Sequence, residues 1–583
     1  MNKRIMLKLA LGCVLTLGLG AVAQAADFQE QVKVSEGTVK GAVNDKYQVV
    51  EWYGIPYAAP AKGVNRWIAP QKAEKYLQTV SSVNKKGKTE VRKEQFVRDC
   101  TQFAPVNIQF NGKKVLGEEG VLTLDIVRPD NNSRKLPVMV FFHGGNNQTS
   151  NSRFWMGQKF AKEANVVYVS VQFRLGALGF NNLPAIADGN KLEKSGNFTL
   201  LDQAAALDWI KKNIGQFGGD SGNITVSGFS AGGRDVMAML ISPVFQGKFQ
   251  KAVSFSGGCT VADFADSQKV LARKLAPLAV EDQVKADEKS AADWFLSQDK
   301  KDKKAVRQYL SGVAAERIAP LMAGAMIRMS AFPHLYGDGA VLPKEGFAAK
   351  KFNNVPLMML ASADEFSSFA ARDPYFKPKM ELLGEDEQFT KEYQFANKYG
   401  SAFYGYFNGQ ESALNIHKKY KGDMYVCTFN FGHTPDVVGE KYWLRNGAFH
   451  GVWAPFLTDQ SYPFKKGTEG FTKPGALQLS QAFIASLAAF MRNGNPNCPE
   501  LGQTWSKWNA DYKPELVFDA NRSQASIYSR NSMTSYDGIL AALEDDNKSI
   551  SKESKEYIVH NVLNGRWFSY GLDAKFHNKN LWK

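Results

Sequence analysis

Short apolar runs recur through the middle of this chain, and each gives way to a stretch whose apolar residues fall at helical spacing. Residues 138–142, 166–171, 224–227, 252–255 and 356–360 are dominated by Val, Ile, Leu, Met and Phe and are flanked by polar or turn-forming residues. Runs of that length predict strands buried on both faces. Residues 154–164, 200–216 and 231–241 place apolar side chains three and four apart, which predicts helices. Strand and helix alternate, and that alternation builds a mostly parallel α/β sheet covered on both faces. The charged segment 281–307 and the stretch 374–438 read as helical excursions from the sheet. The tail from Asp537 is polar, ends in aromatics and receives no assignment. No repeat or long low-complexity linker divides the chain, so 26–583 is expected to form one domain.

The first residues change the picture of where the chain works. Lys3 and Arg4 precede an apolar run over about residues 9–22, and Ala23-Gln24-Ala25 supplies small residues at its end. That pattern predicts a secretory leader over 1–25 and export to the periplasm or beyond. The run is too short for a spanning helix, and no later apolar run of membrane length is uninterrupted, so no stable membrane anchor is expected. Cys13 follows Gly12, but the apolar run continues well past it rather than ending there, which argues against lipidation. The formal charge is +15, and removing Lys3, Arg4 and Lys8 with the leader leaves +12. The lysines are scattered, and the densest group, Lys300 to Lys304, lies on a polar helical stretch. This reads as a solubility charge rather than a nucleic-acid surface. Five cysteines become four after cleavage: Cys100, Cys259, Cys427 and Cys498. Export permits disulfides, and the spacing selects none of the three complete pairings.

Candidate chemistry centres on Gly228-Phe229-Ser230-Ala231-Gly232, where an apolar strand runs straight into a helical pattern. In that setting the small residues beside Ser230 permit a tight, strained turn that lifts its hydroxyl out of the backbone. The following helix aims free N–H groups and its positive end at the same place. A serine hydroxyl is a poor nucleophile at neutral pH and needs a base, which in turn needs an orienting acid. Donors for the oxyanion are also required. Phe141-Phe142-His143-Gly144-Gly145 closes an apolar strand and has the form of a loop that supplies them.

Together these segments resemble the type-B carboxylesterases, the family that includes the cholinesterases. The resemblance covers nearly the whole mature chain. It runs through Gly54 to Ala58 and Arg66, Leu122 to Pro129, Arg174 to Phe180, Gly196-Asn197, Leu200 to Gln203 and Phe217 to Asp220. Beyond the serine it continues in Gly337 to Gly339, Leu342-Pro343 and Gly494 to Asn497 with Trp505 and Trp508. It implies an α/β-hydrolase fold and hydrolysis of a small-molecule carboxylic ester through an acyl-enzyme, without metal or organic cofactor. It also implies Glu365, within Ser362-Ala363-Asp364-Glu365-Phe366, as the triad acid, with Asp364 as local competitor. His450, within Gly447-Ala448-Phe449-His450-Gly451, is implied as the base. The backbone N–H groups of Gly145, Asn146 and Ala231 are the expected oxyanion donors. Arg174 and Asp202 read as a buried ion pair holding supporting loops, and His143 as structural. The remaining histidines have no matching surroundings.

Departures concern the pocket and the disulfides. Many relatives have glutamate where this chain has Phe229, and H-G-x-E where Val452 and Trp453 follow His450-Gly451. Asn146 replaces a third loop glycine. Cys100 matches the first cysteine of a family disulfide whose partner position is Val121, and Cys259 also lacks its near partner. Two other readings stay open at this point: a non-catalytic binding module on the same fold, and a lipase or amidase of the same mechanism.

Overall fold

The computed structural model describes residues 28–578 except 87, 188, 323, 325, 329 and 459–468. The expected leader lies outside them. Eleven strands form one sheet: β1 (Ala42–Asn44), β2 (Val49–Pro56), β3 (Thr123–Pro129), β4 (Leu136–Phe142), β5 (Val167–Val171), β6 (Gly219–Phe229), β7 (Lys251–Phe255), β8 (Leu357–Ser362), β9 (Met424–Phe429), β10 (Pro514–Ala520) and β11 (Ala525–Asn531). Their spatial order is β11-β10-β9-β8-β7-β6-β4-β5-β3-β2-β1. From β5 through β10 every neighbouring pair is parallel. Antiparallel β3, β2 and β1 complete one edge and β11 the other.

The two-residue period of a strand explains the layers. On β4, Val138, Val140 and Phe142 join one core, whereas Met139 and Phe141 join another on the opposite face. α2 (Phe198–Asn213) covers the first face, and α1 (Gln158–Ala164) and α5 (Pro474–Asn493) cover the second. α5 is long and apolar enough to cross a membrane, but 67% of its apolar window is buried inside the fold. α3 (Ala231–Ile241) is buried along its whole length and starts where the sequence pattern begins its helix.

The stretch 374–438 is not purely helical. It holds α4 (Glu387–Tyr406) and a π turn, Phe407–Glu411, but also β9, a central strand of the sheet. The tail is ordered by packing. α6 (Tyr536–Asp545), Ile558, Val562, Trp567 and Phe568 share a third core with Phe366, Tyr404 and Phe407. All four described cysteines are free thiols.

Candidate active site

The candidate residues sit just beyond the carboxyl ends of the parallel strands, where open α/β sheets form their crevices. β6 ends at Phe229, and Ser230 follows with φ 56° and ψ −113° as the residue capping α3. A non-glycine backbone in that region stores about 1–3 kcal/mol of strain. The flanking glycines are required by close approach. A Cβ on Gly228 would lie 2.2 Å from the Gly232 carbonyl oxygen, and one on Gly232 would lie 2.0 Å from that of Phe142. The turn is fixed by Ser230 N–H donating to the Phe255 carbonyl at 2.8 Å, from the end of β7.

The loop after β4 lies against this turn: a Cβ on Gly144 would be 3.1 Å from Ser230 Cβ. Gly145, Asn146 and Asn147 all have positive φ, at 90°, 55° and 55°. Asparagine is among the few non-glycine residues that enter this region readily, because its short amide can bond locally. Here the Asn146 side chain donates to Gln148 Oε1 at 3.0 Å and accepts from Arg234 Nη2 at 2.7 Å. Its amide is therefore committed elsewhere, while the backbone N–H groups of Gly145, Asn146 and Ala231 donate to no acceptor among the described residues.

Two further anchors hold the loop. Asn147 Nδ2 donates to buried Asp235 at 2.8 Å, and Gln203 donates to the other carboxylate oxygen at 2.7 Å. Burial raises the Asp235 carboxyl to about 6. The Asn147 carbonyl accepts from Gly176 N–H at 2.7 Å. Gly176 belongs to the loop that Arg174 pins: its guanidinium bonds both oxygens of Asp202 at 2.6 and 2.8 Å, and both side chains are buried. Burial, then this arginine, dominates the environment of the aspartate.

Glu365 follows β8 and is completely buried. One carboxylate oxygen accepts Ser362 N–H at 2.8 Å, and the other is bonded to His450 Nδ1. Asp364, the competing acid, points elsewhere, to Ala448 N–H at 2.8 Å and His433 at 2.9 Å. His450 lies between β9 and β10 on the segment whose Gly447 has φ 54°, where a Cβ would lie 2.3 Å from Asp364 Oδ2. Its ring packs between Phe229, with centroids 4.7 Å apart, and Tyr404, at 5.5 Å. Both neighbours also adjoin Ser230: Phe229 precedes it, and the Tyr404 hydroxyl lies beside it. His450 Nε2 is buried with no hydrogen-bond partner among the described residues. The structure thus brings the serine turn, the oxyanion loop, Glu365 and His450 to one crevice. No Ser230–His450 hydrogen bond is formed in this conformation, a looseness common in unliganded sites.

His143 is structural: it stacks on Phe173 with centroids 4.4 Å apart, and burial lowers its imidazole to about 4. The sequence reading missed Arg234, His334, Tyr404 and the tail residues Arg566 to Phe568, all buried around the same crevice. The one legible signal was Arg234, which with Asp235 places two charges in an otherwise apolar helix one turn past the serine.

A family model described as the carboxylesterase family matches residues 29–421. Liver carboxylesterase 1 of Oryctolagus cuniculus is 28% identical over 550 residues, spanning 84% of this chain and 90% of that protein. Para-nitrobenzyl esterase of Bacillus subtilis (strain 168) is 25% identical over 505 residues, spanning 84% and 94%. A solved carboxylesterase from Geobacillus stearothermophilus at pH 6.2 shares the fold with a TM-score of 0.64 at 23% identity, over 88% of this chain and 100% of that one.

Proposed function

Since this chain belongs to the carboxylesterase family of ester hydrolases and has the α/β-hydrolase fold, we propose that it cleaves carboxylic esters through Ser230, His450 and Glu365. The observation that carries the assignment is the imidazole itself. Its Nδ1 is held by a buried carboxylate, so its proton resides there and the unpartnered Nε2 is left as an acceptor beside the serine turn. Nε2 takes the Ser230 proton as Oγ attacks the ester carbonyl. The negative charge that develops on the carbonyl oxygen is received by the N–H groups of Gly145, Asn146 and Ala231, each worth about 10²–10³ in turnover. The protonated imidazole then gives its proton to the departing alkoxide, and the alcohol leaves. A water molecule, deprotonated by the same nitrogen, attacks the acyl-enzyme; the acid is released as the imidazolium returns that proton to Ser230 Oγ.

The test is labelling by a fluorophosphonate, which forms a bond with an activated serine. Wild type should label and hydrolyse 4-nitrophenyl acetate. Ser230→Ala should do neither beyond a small residual rate, with its melting temperature preserved. Wild-type turnover by the purified variant would remove Ser230 from the mechanism.

Export forms part of the proposal and rests on the pattern of the first 25 residues. Expression of the full chain should yield a mature form beginning at Ala26 outside the cytoplasm. An intact Met1 terminus on all of the active protein would overturn it.

A further inference from the structure

Arg234 is completely buried, and no carboxylate lies within ion-pair distance of its guanidinium among the described residues. Nη2 bonds two neutral acceptors, Asn146 Oδ1 at 2.7 Å and His334 Nε2 at 3.3 Å. His334 Nδ1 faces the Phe332 carbonyl at 3.1 Å, which can only accept, so the proton sits on Nδ1 and Nε2 accepts from the arginine. Nε and Nη1 of Arg234 have no partner. The neighbouring carboxylate, Asp235, is already engaged by Asn147 and Gln203.

The groups around this guanidinium are also donors in excess. The Trp567 ring lies 4.8 Å from it, and the Trp567 indole N–H is buried without an acceptor. The Tyr404 hydroxyl lies beside both Arg234 and Ser230 and makes no hydrogen bond of normal geometry. Burial raises that hydroxyl to about 12, so it stays protonated and able to donate. Farther back, Arg566 and Arg328 both pair with the carboxylate of Asp373. An isolated buried charge costs several kcal/mol, and buried polar groups are ordinarily paired. A fixed positive charge with unsatisfied donors and no carboxylate paired to it is the complement of an anion.

Resting on the esterase reading above, we propose that Arg234, with Tyr404 and Trp567, recognises a carboxylate carried by the ester substrate. The preferred substrates are therefore esters bearing a second, ionised acid group. His450 Nε2 is likewise buried and unpartnered. Arg234 lies one helical turn from Ser230, its backbone N–H donating to the Ser230 carbonyl at 2.9 Å, and its guanidinium bonds the side chain of Asn146, whose backbone N–H is an expected oxyanion donor. A carboxylate on its guanidinium thus sits within one short spacer of the scissile carbonyl.

The experiment compares matched pairs. An aryl hemiester of adipic acid against its terminal amide places the carboxylate on the acyl side. 4-Acetoxybenzoate against 4-acetoxybenzamide places it on the alcohol side. Wild type should favour the anionic member of one pair by roughly 10- to 100-fold in kcat/KM, mainly through KM, the scale of a charged hydrogen bond. Which pair shows the preference identifies the side. Arg234→Met should lose about tenfold more on that anionic ester than on its neutral isostere, and Arg234→Lys should recover part of the difference. A wild-type enzyme that hydrolyses both members of both pairs equally well would overturn the proposal even if Arg234→Met fails to fold. Equal losses on anionic and neutral esters in the variant would also overturn it, reducing Arg234 to a support for Asn146. Fluorophosphonate labelling and hydrolysis of the neutral esters report on the esterase reading separately.

Discussion

Replacing Glu365 with glutamine keeps shape and volume but removes one of two acceptors, and the structure says what fails in either orientation. The carboxylate receives Ser362 N–H on one oxygen and His450 Nδ1–H on the other, in a completely buried setting. An amide offers one acceptor and one donor. If its oxygen serves Ser362, its NH₂ faces His450 Nδ1, the imidazole proton moves to Nε2, and the base presents a proton to Ser230 instead of a lone pair. If its oxygen serves His450, two N–H groups oppose each other at Ser362, and the charge that stabilises the imidazolium is still gone. Both arrangements disable the base, so Glu365→Gln should lose about 10⁴ in kcat, roughly 5 kcal/mol of transition-state stabilisation. Steady-state hydrolysis of 4-nitrophenyl acetate, with the fluorophosphonate labelling rate and a thermal melt on the same preparation, measures it. Asp364→Asn should fall far less, since Asp364 holds Ala448 and His433 rather than His450. A crippled Asp364→Asn beside a Glu365→Gln of near-normal turnover would refute the assignment of the acid.

Four other substitutions follow from the surroundings. Asn146→Gly keeps a backbone at φ 55° and should keep turnover within about tenfold, whereas a loss of about a hundredfold would assign the oxyanion bond to the side chain. Asn146→Val forces a β-branched residue into that region and should lower the unfolding free energy by about 1–3 kcal/mol in a urea titration. Asp202→Asn leaves Arg174 buried without its counter-charge and should cost about 3–5 kcal/mol of stability, with a urea midpoint unchanged from wild type counting against the pair. His433 is shifted upward by its hydrogen bond to Asp364. A raised folded value means its contribution is complete below the ordinary histidine range and is lost as pH rises through the shifted value. Wild type should therefore lose slightly more stability than His433→Gln between about pH 6 and about pH 9. The difference stays small because the side chain is half exposed, and the opposite slope would refute the reasoning.

Strands buried on both faces announce themselves by composition, and β4 through β8 were legible for that reason. The serine turn was equally plain, because its glycines are demanded by contacts of 2.2 and 2.0 Å that no other residue survives. β9 was lost within a helical reading because it is only six residues long and follows a run of helical elements over 387–416. β11 was invisible because an edge strand that is largely exposed carries no apolar run. His334, Tyr404 and Trp567 gave no local signal, since their roles come from neighbours far along the chain, Arg234 being a hundred or more residues from each. Asn146, by contrast, was readable as a residue suited to positive φ, and its observed φ of 55° follows from the same local chemistry.

The tail shapes the crevice from far along the chain. Arg566, Trp567 and Phe568 close over Phe366, Arg234 and Tyr404, yet they follow those residues in the chain, the nearest of them by about 160 positions. The nucleophile lies more than three hundred positions earlier. A fragment ending before Arg566 could still form the serine turn, but it would lack the wall behind Arg234. The nucleophile turn and the pocket wall are thus written into separate stretches of the chain, so a truncation can remove one while sparing the other.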